Sequence, residues 1–143
     1  MKKENVTINE TTDRLLCKAK RIDNGEWIHG FVYTIWEKAY ILWGMTNDKP
    51  DMVEVDPDTI CLSTGLTGKD DCKIWENDIL RFTINGDLLI VRWNEECCGF
   101  VLEVKSNCND PEDVELFRFN DPYVLSKLEV VGNTIDNPEL LEW

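Results

Sequence analysis

Closely spaced carboxylates are the residues of this sequence best placed to do chemistry, because two of them at a suitable separation can hydrolyse a glycoside or hold a divalent cation. With 28 Asp and Glu among 143 residues, such pairs also arise by chance. Most of them fall in predicted turns, where acidic side chains bond to nearby backbone amides. We interpret them as turn residues and leave a carboxylate- or metal-dependent hydrolase open as an alternative. The pairs are Asp56/Asp58, Asp70/Asp71, Glu76/Asp78 and Glu95/Glu96.

Nucleophilic catalysis has few candidate residues. His29 is the single histidine, so a Ser-His or Cys-His dyad would have to use it. Its position between Trp27 and Phe31 on a predicted strand indicates a packed or rim residue instead. The cysteines, at positions 17, 61, 72, 97, 98 and 108, show neither the Cys-x-x-Cys spacing nor the Cys/His clustering of a zinc site. We therefore expect structural thiols and no catalytic, cofactor-binding or metal-binding residue.

The charge balance bears on the class of partner. Lys and Arg number 15, so the net charge is −13, which argues against binding to duplex nucleic acid or an anionic membrane. The acid excess lies in residues 31–102 and 103–143. Two alternatives stay open. One is an acidic decoy that imitates DNA and binds a host DNA-handling protein. The other is single-stranded nucleic-acid binding by exposed tryptophans, which the local charge disfavours.

Two Asn-Gly dipeptides between apolar runs predict β-hairpins with two-residue turns. The first is Asn24-Gly25. The second, Asn85-Gly86, predicts that Phe82 pairs with Leu89 and Leu80 with Val91. One face of this hairpin is continuous and apolar, and we expect it to look into the core. That face carries Leu80, Phe82, Ile84, Leu89, Val91 and Trp93.

The remaining chain predicts further short strands and marginal helices. The strands are expected at 27–36, 39–43, 100–104 and 128–131, with a polar loop over 46–51. Asp110-Pro111, Asp121-Pro122 and Asn137-Pro138 each resemble a helix N-cap followed by a first-position proline. The expected fold is mainly β: a small SH3-like barrel built from hairpins, with short 3-10 or α turns and a short C-terminal helix.

The expected organisation is a frayed segment over residues 1–12 and one β domain over 13–143, with a sub-boundary near 45–56 left open. No apolar run reaches the roughly 20 residues that span a bilayer, and the polar start lacks the apolar stretch of a signal peptide. We expect a cytoplasmic protein. Core packing explains most of the six tryptophans, and Trp143 is the best candidate for a subunit contact.

A family resemblance rests on four segments in order. Residues 64–80, from Thr64-Gly65-Leu66 to Trp75-Glu76-Asn77-Asp78-Ile79-Leu80, resemble the Thr-Gly-Leu…Ile-(aromatic)-Glu-Gly-Asp-Ile-Val motif of the YopX family of bacteriophage and prophage proteins. Residues 21–31, 55–60 and 129–141 are similar to other segments of that family, so the likeness covers about residues 14–142. Asn77 replaces the usual Gly, and Asn tolerates a positive φ. The Asp70-Asp71 turn also departs from the family pattern.

The resemblance implies a mostly β fold of barrel type, a phage or prophage origin and a tendency to form homo-oligomers. It implies no catalytic residue. The expected function is therefore that of an accessory protein acting through protein–protein contacts in a phage-infected or lysogenic cell, with itself or with a host or phage protein. The residues expected to determine turns and fold are Gly65, Glu76, Asn77, Asp78, Gly132, Asn133 and Pro138.

Overall fold

The computed structural model describes residues 15–105, 113–115 and 121–141. Contacts within the chain divide it into two compact units, Met1–Ser63 and Thr64–Trp143, which we describe separately. The frayed segment expected at 1–12, the cap expected at Asp110-Pro111 and the contact expected at Trp143 lie outside the described residues. The single domain and its sub-boundary stay predictions.

The first unit is an antiparallel sheet in the order β4-β3-β2-β1-β5. Its strands are β1 (Cys17–Lys20), β2 (Trp27–Ile35), β3 (Lys38–Thr46), β4 (Lys49–Val55) and the start of β5 (Cys61–Thr67). A 3-10 turn, Pro57–Thr59, precedes β5. Alternation along the strands directs small and branched residues to one face, which forms this unit's core. That core contains Cys17, Ala19, Ala39, Ile41 and Val55.

Two local predictions for this unit are wrong. The Asn24-Gly25 hairpin exists, but its loop is longer than two residues: the Arg21 amide donates to the Glu26 carbonyl, and the Gly25 amide donates to the Arg21 carbonyl. Gly25 alone takes a positive φ, of 73°. The expected polar loop over 46–51 is instead a tight turn leading into β4. Its Pro50 is tolerated because β4 lies at the edge of the sheet.

The second unit contains the end of β5, β6 (Lys73–Trp75), β7 (Asp78–Phe82), β8 (Leu88–Asn94), β9 (Gly99–Lys105), β10 (Asp113–Glu115) and β11 (Leu128–Asn133). The last five form an antiparallel sheet in the order β10-β9-β8-β7-β11. Short helical turns span Lys69–Asp71, Pro122–Leu125 and Pro138–Leu141. The core residues lie on one face of this sheet and on β6. They are Ile74, Leu80, Leu89, Val91, Leu102 and Leu128.

The register of the β7–β8 hairpin differs from the prediction by two residues. Leu80 pairs with Leu89 rather than with Val91, because the loop closes between Phe82 and Asp87. A shift by two keeps every side chain on its predicted face, so Leu80, Leu89 and Val91 still share the core. Ile84, predicted on that face, lies in the loop and is exposed.

The mainly β prediction is confirmed. The core packing expected of most tryptophans is wrong for those the structure describes: Trp75 is buried, whereas Trp36, Trp43 and Trp93 are exposed. Strand β9 directs Phe100, Leu102 and Val104 into the core as expected. Asp121 caps the Pro122–Leu125 turn by accepting from the Tyr123 amide. Thr64-Gly65-Leu66 lies inside β5, where Gly65 has a φ of 79°. Among the described residues, no helix is long and apolar enough to cross a membrane.

Candidate functional site

One face of the first sheet carries aromatic side chains outward, and we call it the aromatic face. Alternation along β2 puts Trp27, His29, Phe31, Tyr33 and Ile35 on this face, opposite the face that builds the core. The strand pairing assigns the neighbours. They are Lys18 and Lys20 of β1, Lys38, Tyr40 and Leu42 of β3, and Met52 and Glu54 of β4.

The middle of the aromatic face is apolar and exposed. Tyr33 pairs directly with Tyr40, and their ring centroids lie 6.4 Å apart with the planes tilted by 40°. Phe31 pairs with Leu42 in the same register. Tyr33 is 48% exposed and Phe31 40%. Large apolar side chains contiguous on a sheet and open to water are typical of a binding surface.

Lysines surround these rings. The Nζ atoms of Lys18 and Lys20 lie 4.7 and 5.5 Å from the centre of the Trp27 ring, within the range of cation–π attraction. Lys38 is exposed at the other end of the face. Among the residues named above for the aromatic face, Glu54 carries the carboxylate, and it pairs with Tyr40. This surface is therefore cationic in a chain whose net charge is −13.

The hairpin that carries the aromatic face ends in a single protruding tryptophan. Ile35 pairs with Lys38, so Trp36 and Glu37 form the tip between β2 and β3. Trp36 is 93% exposed and has a φ of 55°, a left-handed conformation that is unfavourable by about 1–2 kcal/mol for a residue with a Cβ. Strain at an exposed residue is the kind of feature found at functional positions.

The structure assigns ordinary turn roles to most of the carboxylate pairs. Asp56 accepts from the Asp58 amide at 3.0 Å, and Asp70 and Asp71 form a turn with both φ angles positive. Glu95 and Glu96 lie in the turn after Asn94. Within the described ranges, His, Cys, Asp and Glu form no group of three able to hold a metal ion.

The cysteines and His29 are dispersed. Cys17 and Cys61 are buried, whereas Cys72, Cys97 and Cys98 are exposed and free. His29 is exposed on the aromatic face, as a rim residue would be. Sequence reasoning placed it on a strand but missed the face as a whole. The signal was present in the period-two run of ring-bearing residues from Trp27 to Tyr33 and in the alternation of Lys18 and Lys20.

Comparison with protein families decides the relationship that the motifs indicated. The family model described as YopX protein matches residues 5–142, nearly the whole chain. The chain belongs to the YopX family. No curated protein matches it.

In this YopX-family chain, the turn between β6 and β7 is built as the sequence predicts. Asn77 adopts a φ of 72°. Asp78 is buried, and its Oδ2 accepts from the Trp75 amide at 2.8 Å. Glu76 lies in the same turn and is half-buried.

The closing YopX motif meets this turn. Asn133 pairs with Asp78 across β11 and β7, and the Thr134 amide donates to the Asn77 carbonyl at 2.9 Å. The Oδ1 of Asn133 accepts from the amides of Ile135 and Asp136 at 3.0 and 2.8 Å. Two segments separated by more than fifty residues thus form one hydrogen-bonded unit.

The glycines and the proline of the YopX motifs shape the backbone. A Cβ on Gly132 would lie 2.7 Å from Asn137 Oδ1 and 3.0 Å from Leu140 Cδ1, so glycine permits the Pro138–Leu141 turn to pack against β11. Pro138 begins that turn. Gly65 bends β5. The Thr64 hydroxyl stabilises this bend: its Oγ1 donates to the Ile74 carbonyl and accepts from the Leu66 amide. These positions act within the fold of the second unit.

Proposed function

We propose that the protein is an accessory protein of a phage or prophage, without catalytic activity, and that it acts by binding a partner through the aromatic face. The observation that carries the proposal is the exposure of Phe31 and Tyr33 beside Tyr40 and Leu42 on one side of a sheet whose other side is core. Exposed apolar surface of this kind is unfavourable in water unless a partner covers it.

Self-association is the second part of the proposal. Trp36 projects from the β2–β3 tip, and tryptophan is among the residues enriched at protein–protein interfaces and at their energetic centres. Tryptophan is unfavourable in the left-handed conformation of this turn, which supports the view that the residue is kept for its exposed ring and not for the turn. Contact between copies through this tip leaves the aromatic face accessible to a different partner.

The cell compartment and the finer architecture belong to the same proposal. Exposed free thiols at Cys72, Cys97 and Cys98 suit a reducing cytoplasm. We further propose that the strands curl towards a small SH3-like barrel. The positive φ of Gly65 and the register shifts in β3 and β11 support it, because bulges and glycine kinks are how sheets curve into barrels.

Photo-crosslinking in phage-infected or lysogenic cells tests the binding role. Tyr33 is replaced by the photoreactive p-benzoylphenylalanine, and Tyr123, an exposed tyrosine of the second unit, is replaced in a matched control chain. We expect adducts to another macromolecule from position 33 and none from position 123. Equal or absent crosslinking at the two positions would refute the proposal. Nuclease sensitivity of the adducts then distinguishes a nucleic-acid partner from a protein partner.

A further inference from the structure

We propose that the aromatic face is a binding site for single-stranded nucleic acid, on which unpaired bases stack and whose lysines contact the phosphates. This inference rests on the proposed function, because it names the partner of the same face. The observation behind it is a juxtaposition: exposed rings in the middle of a sheet, with Lys18, Lys20 and Lys38 around them.

The spacing of the rings suits separate bases. Phe31 and Tyr33 are two residues apart on one strand, so their side chains leave the sheet about 7 Å apart. Tyr40 lies beside Tyr33 on the next strand, with 6.4 Å between the ring centroids. Every base has a π-face, and stacking of this kind tolerates any sequence.

The charge distribution favours a polyanion at this place on the molecule. The face carries three lysines against Glu54, whereas the chain as a whole has a net charge of −13. An acidic surface elsewhere repels nucleic acid and leaves the cationic face as the favourable contact. The average composition conceals this contrast, because only strand pairing places Lys18 and Lys20 at one end of this face and Lys38 at the other.

The same features argue against two other partners. A duplex keeps its bases stacked internally and presents mainly phosphates, which favours many cationic contacts over a few. Protein–protein interfaces are depleted of lysine relative to the rest of the surface, whereas three lysines border the rings of this face. Rings with adjoining cations match an unpaired strand, in which base and phosphate alternate.

Fluorescence anisotropy with defined oligonucleotides tests the inference on the full chain. The probes are labelled oligo(dT) and oligo(rU) of about 12 nucleotides, within the site sizes of known single-strand binders, and a duplex of equal length. We expect at least one single strand to bind, more tightly than the duplex. We expect the logarithm of the association constant to fall with log salt at a slope of about −2, as three phosphate contacts on a single strand give.

Variants locate the contact on the aromatic face. Tyr33→Ala should weaken single-strand binding about tenfold, and Lys38→Gln should reduce the salt slope by about 0.7. Two matched controls should leave binding unchanged. Lys49→Gln makes the same charge change on the other side of the same sheet, and Tyr123→Ala removes an exposed ring from the second unit. Circular dichroism verifies that each variant is folded.

Three results would overturn the inference. They are no binding of either single strand at about 50 mM salt, equal binding of the duplex, and unchanged binding by a folded Tyr33→Ala variant. Nuclease-resistant adducts from position 33 would also overturn it while leaving the proposed binding role intact. The failure of this inference and the failure of the proposed function are therefore distinguishable.

Discussion

The Asp78 carboxylate accepts a hydrogen bond of 2.8 Å from the backbone amide of Trp75, closing the turn between β6 and β7. Asp78 is only 2% exposed. In the same turn, the carbonyl of Asn77 accepts a hydrogen bond from the amide of Thr134, which belongs to the closing segment. The side chain therefore supports a junction between two YopX motifs.

Removing this carboxylate should destabilise the fold. We expect Asp78→Ala to lower the free energy of unfolding by about 1–3 kcal/mol, because a buried amide loses its acceptor. Asp78→Asn keeps an oxygen at the same place and should lose less. Urea unfolding measures both, with the exposed Asp58→Ala as the control. Equal losses for the three variants would contradict the role assigned to Asp78.

Asn77 should respond to substitution through the conformation of its backbone. Its φ of 72° is left-handed, so Asn77→Gly should leave the midpoint of thermal unfolding unchanged or raised. Asn77→Val should destabilise by about 1–2 kcal/mol, because a branched Cβ is strained there. Thermal unfolding followed by circular dichroism compares the two variants. Similar midpoints would mean that the positive φ at this position is not a constraint.

Gly68 should be intolerant of a side chain for steric reasons. A Cβ at this position would lie 2.5 Å from the Leu128 carbonyl oxygen. Backbone atoms cannot move aside cheaply, so Gly68→Ala should destabilise by about 1–3 kcal/mol. Gly44→Ala is the control, because its nearest neighbour would be Asp51 Oδ2 at 3.6 Å. Chemical denaturation of both variants checks the difference, and an unaffected Gly68→Ala protein would refute it.

The Arg21–Asp23 pair should be visible in a titration. The hydrogen bond from Arg21 lowers the pKa of the Asp23 carboxyl below its usual 3.8. Because the pKa of Asp23 is lower in the folded chain than in the unfolded chain, the ionised carboxylate stabilises the hairpin loop at pH values above the unfolded-state pKa. This stabilisation is lost as the pH falls through the folded-state pKa. NMR titration of the carboxyl should give a lower midpoint in the native chain than in Arg21→Gln. Equal midpoints would show that the pair has no electrostatic effect.

The oligomer proposal predicts a specific effect at the hairpin tip. Trp36→Asn removes the exposed ring and supplies a residue that accepts a positive φ, so the variant should fold at least as well as the native chain. Light scattering after size exclusion should give an oligomer for the native protein and a smaller mass for Trp36→Asn. Ile84→Ser, at an exposed site in the β7–β8 loop, should keep the native mass. A monomeric native protein would contradict the proposal.

The hairpins illustrate how far local sequence patterns determine structure. Both Asn-Gly pairs turn the chain where expected, but both loops are larger than predicted. In each, the Asn side-chain oxygen accepts from the amide two residues on, of Glu26 in one and of Asp87 in the other. This bond favours a wider loop over the two-residue turn. Strand identity and face therefore followed from the sequence, while the register depended on side-chain hydrogen bonding.

The aromatic face was harder to predict because β2 carries apolar residues on both sides. Apolar residues on both sides are typical of a buried strand. The local sequence pattern does not indicate which side of the strand the rest of the chain covers. The net charge of the chain is −13, although strand pairing places Lys18, Lys20 and Lys38 on one surface. The turn residues were predicted because their conformations depend on neighbours in the sequence.

Pro50 has a further consequence through its place on β4, the outermost strand of the first sheet. Proline offers no amide hydrogen, and the register shift between Leu42 and Gly44 distorts the adjoining ladder. A foreign strand that tried to extend the sheet along this border would find an interrupted row of donors, which is how natural proteins resist fibril growth. The molecule can therefore expose a row of aromatic rings in a crowded cell without templating amyloid at that border.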